Sequence, residues 1–116
     1  MPQDLKTDLK PYLEAVSGKK AEHIVALAVG RLTAIADAFI ICSGNSNRQV
    51  SAIGDHIVRD LKDKGIKPLS TSGLAEGRWV LLDYGQVIIH VFYESAREFY
   101  DIEGLWADAE RIEVSG

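Results

Sequence analysis

The chain has very little cysteine, little proline and no excess of positive charge. One cysteine stands among 116 residues. Cys42 therefore cannot form an internal disulfide, which agrees with a reducing, cytoplasmic setting. Lysine and arginine number 13 against 17 aspartates and glutamates, for a net charge of −4. That deficit argues against a mainly electrostatic nucleic-acid binder, which needs cations to displace counterions. The adjacent basic pair Lys19-Lys20 reads as part of a solvated loop. No apolar run nears the roughly 20 residues that span a bilayer. The segment Met1 to Lys10 is polar and shows no signal-peptide core, so nothing indicates export. What remains is 47% hydrophobic and 26% charged, the make-up of an ordinary globular protein. Residues 1–116 read as one domain, with 1–10 and 110–116 expected to fray.

The most informative stretch runs from Gly77 to Phe92. Trp79-Val80-Leu81-Leu82 and Val87-Ile88-Ile89-His90-Val91-Phe92 flank a tight Asp83-Tyr84-Gly85-Gln86 turn and read as a β-hairpin. Strand side chains alternate between faces. Here neither parity is polar, so both faces need cover. Helices of a short chain cover one, and a partner protein is a candidate for the other.

Around the hairpin, periodicity predicts the remaining elements. Leu5, Leu9, Tyr12, Leu13 and Val16 fall at helical spacing. Pro11 fits best in a first helical turn, so the firm helix is expected from Pro11 to Ser17. Strands are expected at His23–Val29 and Ala38–Cys42, the second apolar throughout and hence central. Ser46 and Gln49 form a capping-box pattern before the stripe Val50, Ile53, Ile57 and Leu61, and Gly65 closes that helix. A short edge strand is expected at Ile66–Leu69 and a loop at Ser70–Gly77. Ser95, with Glu98 three residues on, is expected to cap a last helix whose apolar side holds Phe99, Ile102, Leu105 and Trp106. The order α-β-β-α-β-β-β-α predicts an α/β (mixed α+β) fold. Its mixed sheet has about five strands, with helices mainly on one face.

Chemistry finds little support. The Ser43-Gly44-Asn45-Ser46-Asn47 loop leaves a strand and opens a helix, where an anion could sit. It is neither a dinucleotide fingerprint nor a Walker loop. A nucleotidyltransferase would add two converging carboxylates for Mg²⁺, whereas the later strands offer Asp83 alone. Asp101-x-Glu103 and Asp108-x-Glu110 read as ordinary helix charge. His23, His56 and His90 show no ligand spacing. His90 reads as a hydrogen-bonded sheet residue, and Cys42 as a small core hydrophobe. No catalytic, metal or cofactor residue is assigned. Trp106 reads as core. Trp79 reads either as core or as an exposed interface anchor.

Three segments resemble a known family. They are Ala36-Asp37-Ala38-Phe39-Ile40-Ile41-Cys42-Ser43-Gly44-Asn45-Ser46-Asn47-Arg48-Gln49-Val50, Gly77-Arg78-Trp79-Val80-Leu81-Leu82-Asp83-Tyr84-Gly85, and Arg97-Glu98-Phe99-Tyr100-Asp101-Ile102-Glu103-Gly104-Leu105-Trp106. They are close, in order and spacing, to motifs of the ribosomal silencing factor family, also called RsfS or Iojap, over about Leu13 to Trp106. Two departures are Ala38, where the family usually carries a larger residue, and Tyr93-Glu94-Ser95-Ala96 in place of a His-Pro-rich turn. The resemblance implies a nucleotidyltransferase-like fold without catalytic carboxylates. It implies binding to large-subunit ribosomal protein L-fourteen and a steric block to joining of the ribosomal subunits, lowering translation when nutrients are scarce. Dimers are implied for the free form. On this reading Trp79 anchors in a partner pocket, Leu81 extends the apolar patch, Asp83 meets a basic group and Tyr84 adds a ring with a polar tip. Glu98 and Tyr100 stand in second rank. Val80 and Leu82 face the helices. The alternatives are a small nucleotidyltransferase-like enzyme using Ser43–Asn47, and a dimeric scaffold with no ribosomal role.

Overall fold

The computed structural model describes residues 5–112 and Val114. Ten elements follow one another: α1 (Leu5–Ser17), β1 (Glu22–Ala28), β2 (Ala38–Gly44), α2 (Asn47–Asp63), β3 (Ser70–Ser72), β4 (Trp79–Asp83), β5 (Val87–Tyr93), α3 (Glu94–Tyr100), α4 (Ile102–Leu105) and β6 (Glu110–Ile112). The strands form one sheet in the order β3-β4-β5-β2-β1-β6. β2 and β5 run parallel at its centre, and every other pair is antiparallel. The sheet is mixed, as expected, but has six strands. Among the described residues no helix is long and apolar enough to cross a membrane.

The centre is where the sequence is apolar at both parities. All seven residues of β2 are buried, as are Val87 to Phe92 of β5. On one face α1 and α2 cover Ile40, Cys42, Val80, Leu82, Val87, Ile89 and Val91. The other face carries Phe39, Ile41, Ile88 and Phe92, with Ala96, Ile102 and Trp106 from the short helical segment packed on them. The two long helices thus share one face, and Val80 and Leu82 point to it.

Helix α2 forms as its sequence dictates. Ser46 Oγ accepts the Gln49 N–H at 3.0 Å, and Val50, Ile53, Ile57 and Leu61 are fully buried. At the other end Gly65, with φ +82°, donates to the Lys62 carbonyl. The Ile66 N–H returns to Leu61, which completes a Schellman stop.

Five expectations are corrected. Pro11 lies inside one helix that begins at Leu5, not at its start. Its missing N–H is tolerated because Leu9 and Val16, on either side, are both fully buried in the core. The edge strand is Ser70–Ser72, not Ile66–Leu69. Ile66 is used by the α2 stop, Pro68 has no N–H to give, and pairing starts with the Leu69 N–H on the Asp83 carbonyl at 2.7 Å. Ser95 caps nothing. β5 stays in register with β2 through Tyr93, so the chain turns directly into α3 at Tyr93, which makes no side-chain cap. The last helix is two. Asp101 adopts a left-handed φ of 46°, closes α3 and caps α4 by accepting the Gly104 N–H at 3.1 Å. Finally, residues 110–112, read as part of a polar tail, pair with Ala26–Ala28 as β6; the expected fraying at positions 1–4, 113, 115 and 116 lies outside the described residues.

Candidate functional site

Registry of the hairpin sets the site. Trp79 opposes Phe92, Leu81 opposes His90 and Asp83 opposes Ile88. Trp79 and Leu81 therefore sit on the face away from α1 and α2, beside Phe92 and His90. The cover there is incomplete. α3 and α4 lie over the middle of the sheet, while Trp79, Leu81 and Asp83 are only half-buried and all of β3 is exposed. Val80 is fully buried, so the outward parity is that of Trp79.

The half-open face is aromatic. The Trp79 ring stacks on Phe92 at 5.0 Å and lies 4.6 Å from the ring of Tyr100, a residue 38% exposed. Phe99 continues the surface and is 76% exposed, with Leu105 similarly open. These two were expected to share one apolar helix side with Ile102 and Trp106. The left-handed turn at Asp101 separates α3 from α4, so a stripe spaced for one helix is divided between two. Of that stripe, Trp106 meets Phe39 edge-on at 5.1 Å and Ile102 packs beside it.

Asp83 faces the same way as Trp79 and shapes the turn: its Oδ1 accepts the Gly85 N–H at 2.8 Å. Glu98 is exposed on α3. Tyr84 is not with them. It folds under the sheet to the helix side, edge-on to Tyr12 at 5.5 Å. Burial, helped by Tyr12, pushes its phenol up to about 12. An outward Tyr84 is therefore corrected. It follows the last residue of β4, where the chain leaves the alternation that orders 79–83. The structure thus brings together Trp79, Leu81, Asp83 and Tyr100, and adds Phe92, Phe99 and His90.

His90 was legible only as a bonded sheet residue. Its Nδ1 accepts the Trp79 indole N–H at 3.1 Å. Burial holds its imidazole neutral, with a pKa pushed down to about 4. The cross-strand register was the signal that could have joined the two, once the turn length was known.

The groups of the Ser43–Asn47 loop are engaged within the chain. Ser43 is buried and its Oγ accepts Arg97 Nη1–H at 2.7 Å. Ser46 caps α2, and the Asn47 amide donates to the Glu76 carbonyl at 3.1 Å. Gly77, at φ +69°, lies so close to the Asn47 carbonyl that a Cβ would collide with it. Arg97 also donates to Glu103 at 2.8 Å, tying α4 to β2. That hydrogen bond holds the Glu103 carboxyl below its usual range. Cys42 is fully buried, and desolvation pushes its thiol up to about 12, an inert group. Among the described residues no group of three or more His, Cys, Asp and Glu gathers as a metal site.

Fold and face define a small mixed α/β protein that presents a half-open aromatic sheet surface. The model of the family described as "Ribosomal silencing factor during starvation" matches residues 2–116. The Ribosomal silencing factor RsfS of Halalkalibacterium halodurans is 42% identical over 108 residues, covering 93% of this chain and 92% of that protein. A Chromobacterium violaceum protein of known crystal structure superposes with a TM-score of 0.85 at 32% identity, covering 98% of this chain and 94% of that one. A more distant relative is the "Mitochondrial assembly of ribosomal large subunit protein 1" of Mus musculus. It is 27% identical, over 87% of this chain and 46% of that protein. The chain belongs to the ribosomal silencing factor family.

Proposed function

We propose that this protein docks on the large ribosomal subunit through the half-open face of its sheet and keeps the small subunit from joining. The observation that carries the reading is the group Trp79, Leu81, Asp83 and Tyr100, an aromatic and apolar surface with acidic residues at its margin. Tryptophan and tyrosine dominate binding hot spots. The partner is large-subunit ribosomal protein L-fourteen. A net charge of −4 suits a basic ribosomal protein and speeds encounter more than it adds affinity. Asp83 and Glu98 supply local negative charge. The role is regulatory and steric, without a chemical step, in the cytoplasm. The fold acts as one nucleotidyltransferase-like domain over residues 1–116, with little direct contact to nucleic acid. When no ribosome is present, a second copy covers the same face.

The names of the relatives support the ribosomal part of this reading, and the mouse protein's name supports the large subunit. A sucrose-gradient assay of subunit joining tests it. Excess protein is expected to lower the joined-ribosome peak and to travel with the large subunit. An unchanged joined peak would overturn the proposal.

A further inference from the structure

The polar atom of Trp79 points into the protein. Its indole N–H donates to His90 Nδ1 at 3.1 Å. An indole nitrogen only donates, so Nδ1 carries no proton and the neutral imidazole holds its proton on Nε2. His90 has little freedom. It is 5% exposed, with its ring edge-on to Phe39 at 5.3 Å and nearly parallel to Phe92 at 6.0 Å. Its strand β5 is paired on both sides, to β2 and to β4. Trp79 is placed differently. It begins β4, beyond Leu81 where the pairing with the three-residue edge strand β3 stops, and is only half-buried. A large side chain in such a position has rotamers to lose when a partner arrives, and ordering it then would weaken binding severalfold.

We propose that His90 is the positioning residue of the docking face. It holds the Trp79 ring against Phe92 and Tyr100 before the partner arrives, and it satisfies the ring's only polar atom. This rests on the Trp79 face being the docking surface. The partner then meets indole hydrocarbon alone. Its complementary pocket is aliphatic, with no carbonyl or phosphate acceptor required for the indole.

The test reads the Trp79 indole N–H by nitrogen-15 NMR, assigned by its loss in Trp79→Phe, together with affinity for purified large subunits. His90→Leu keeps an apolar side chain and removes the acceptor. His90→Gln keeps an acceptor. In His90→Leu the indole N–H is expected to exchange as a solvent-exposed one, and affinity to fall about tenfold, the scale of one well-placed hydrogen bond. His90→Gln is expected to recover part of both. In the Trp79→Phe background His90→Leu is expected to cost nothing further, because the pair is coupled. Unchanged exchange in His90→Leu would overturn the assignment. So would lost protection with full affinity, or an equal loss of affinity in the Trp79→Phe background. If the unaltered protein fails to bind large subunits, the docking reading falls and this proposal with it. Binding that is intact and indifferent to His90 removes the positioning role alone.

Discussion

The two faces of the sheet are built from different materials. The buried centre of the face under α1 and α2 is aliphatic: Ile40, Val80, Leu82, Ile89 and Val91 meet Leu9, Val16, Val50, Ile53, Ile57 and Leu61, all at 0% exposure, with Tyr12 and Tyr84 at its edge. The opposite face is aromatic. Phe39, Phe92, Trp79, His90, Tyr100 and Trp106 overlap in edge-on and stacked contacts, and its margin is open. Aliphatic side chains gain only by burial, so a sealed face suits them. Aromatic side chains offer a broad flat surface with a polar handle, so a half-covered ring can order itself on one side and bind on the other. Both faces hold core, but one is sealed while the other leaves its margin open.

Four outcomes would break or sharpen that division. Leu82→Ala opens a cavity on the sealed face and is expected to cost about 3 kcal/mol of stability. Urea denaturation reads it, while affinity of the folded protein for large subunits should stay within about twofold. A loss of affinity without a loss of stability would erase the contrast between the faces.

Acid comes next. His90 ionises near pH 6.5 when unfolded and near 4 when folded. Its share of stability is therefore whole above pH 6.5 and is lost as pH falls through about 4. The shift corresponds to about 3 kcal/mol. Denaturation midpoints measured at pH 7 and pH 4.5 should show it, and His90→Leu should lack that share. The Glu103 carboxyl, held down by Arg97, contributes to acid sensitivity in both proteins, so the difference between them isolates His90.

Trp79→Ala tests the open face directly. A hot-spot tryptophan is expected to cost at least about 2 kcal/mol of binding, roughly thirtyfold. Co-sedimentation of a variant whose circular dichroism is unchanged reads it, and normal co-sedimentation would remove Trp79 as the anchor. The smallest effect belongs to Ser46→Ala. Loss of the α2 cap is expected to cost about 1 kcal/mol of stability with no change in ribosome binding. Saturable binding of a nucleoside triphosphate that weakened in this variant would instead favour chemistry at the Ser43–Asn47 loop.

Much of this was legible residue by residue. The stripe from Val50 to Leu61 with its Ser46 cap predicted α2 to the residue at its start. The doubly apolar hairpin predicted that both faces need cover; the inward parity of Val80 and Leu82 came with the family resemblance, and the burial of β4 decided it. The candidate site was legible in part. Trp79, Leu81 and Asp83 share a face as expected, while Tyr84 does not. Tyr84 is the first residue after β4, where alternation stops governing direction. Phe99 and Leu105 were misread because a left-handed Asp101 is invisible to helical periodicity.

By itself the sequence determined what neighbours along the chain can decide: the Ser46 cap, the α2 stripe, the alternation of side chains along the strands and the motifs of the family. Those depend on contacts two to four residues apart, with fixed periods. The tertiary structure decided the rest. It placed β6 on β1, kept Pro11 inside a helix, turned Tyr84 under the sheet and set His90 against Trp79. It also left one aromatic margin uncovered. Each of these depends on which distant surface is near enough to repay burial, and local sequence does not carry that distance.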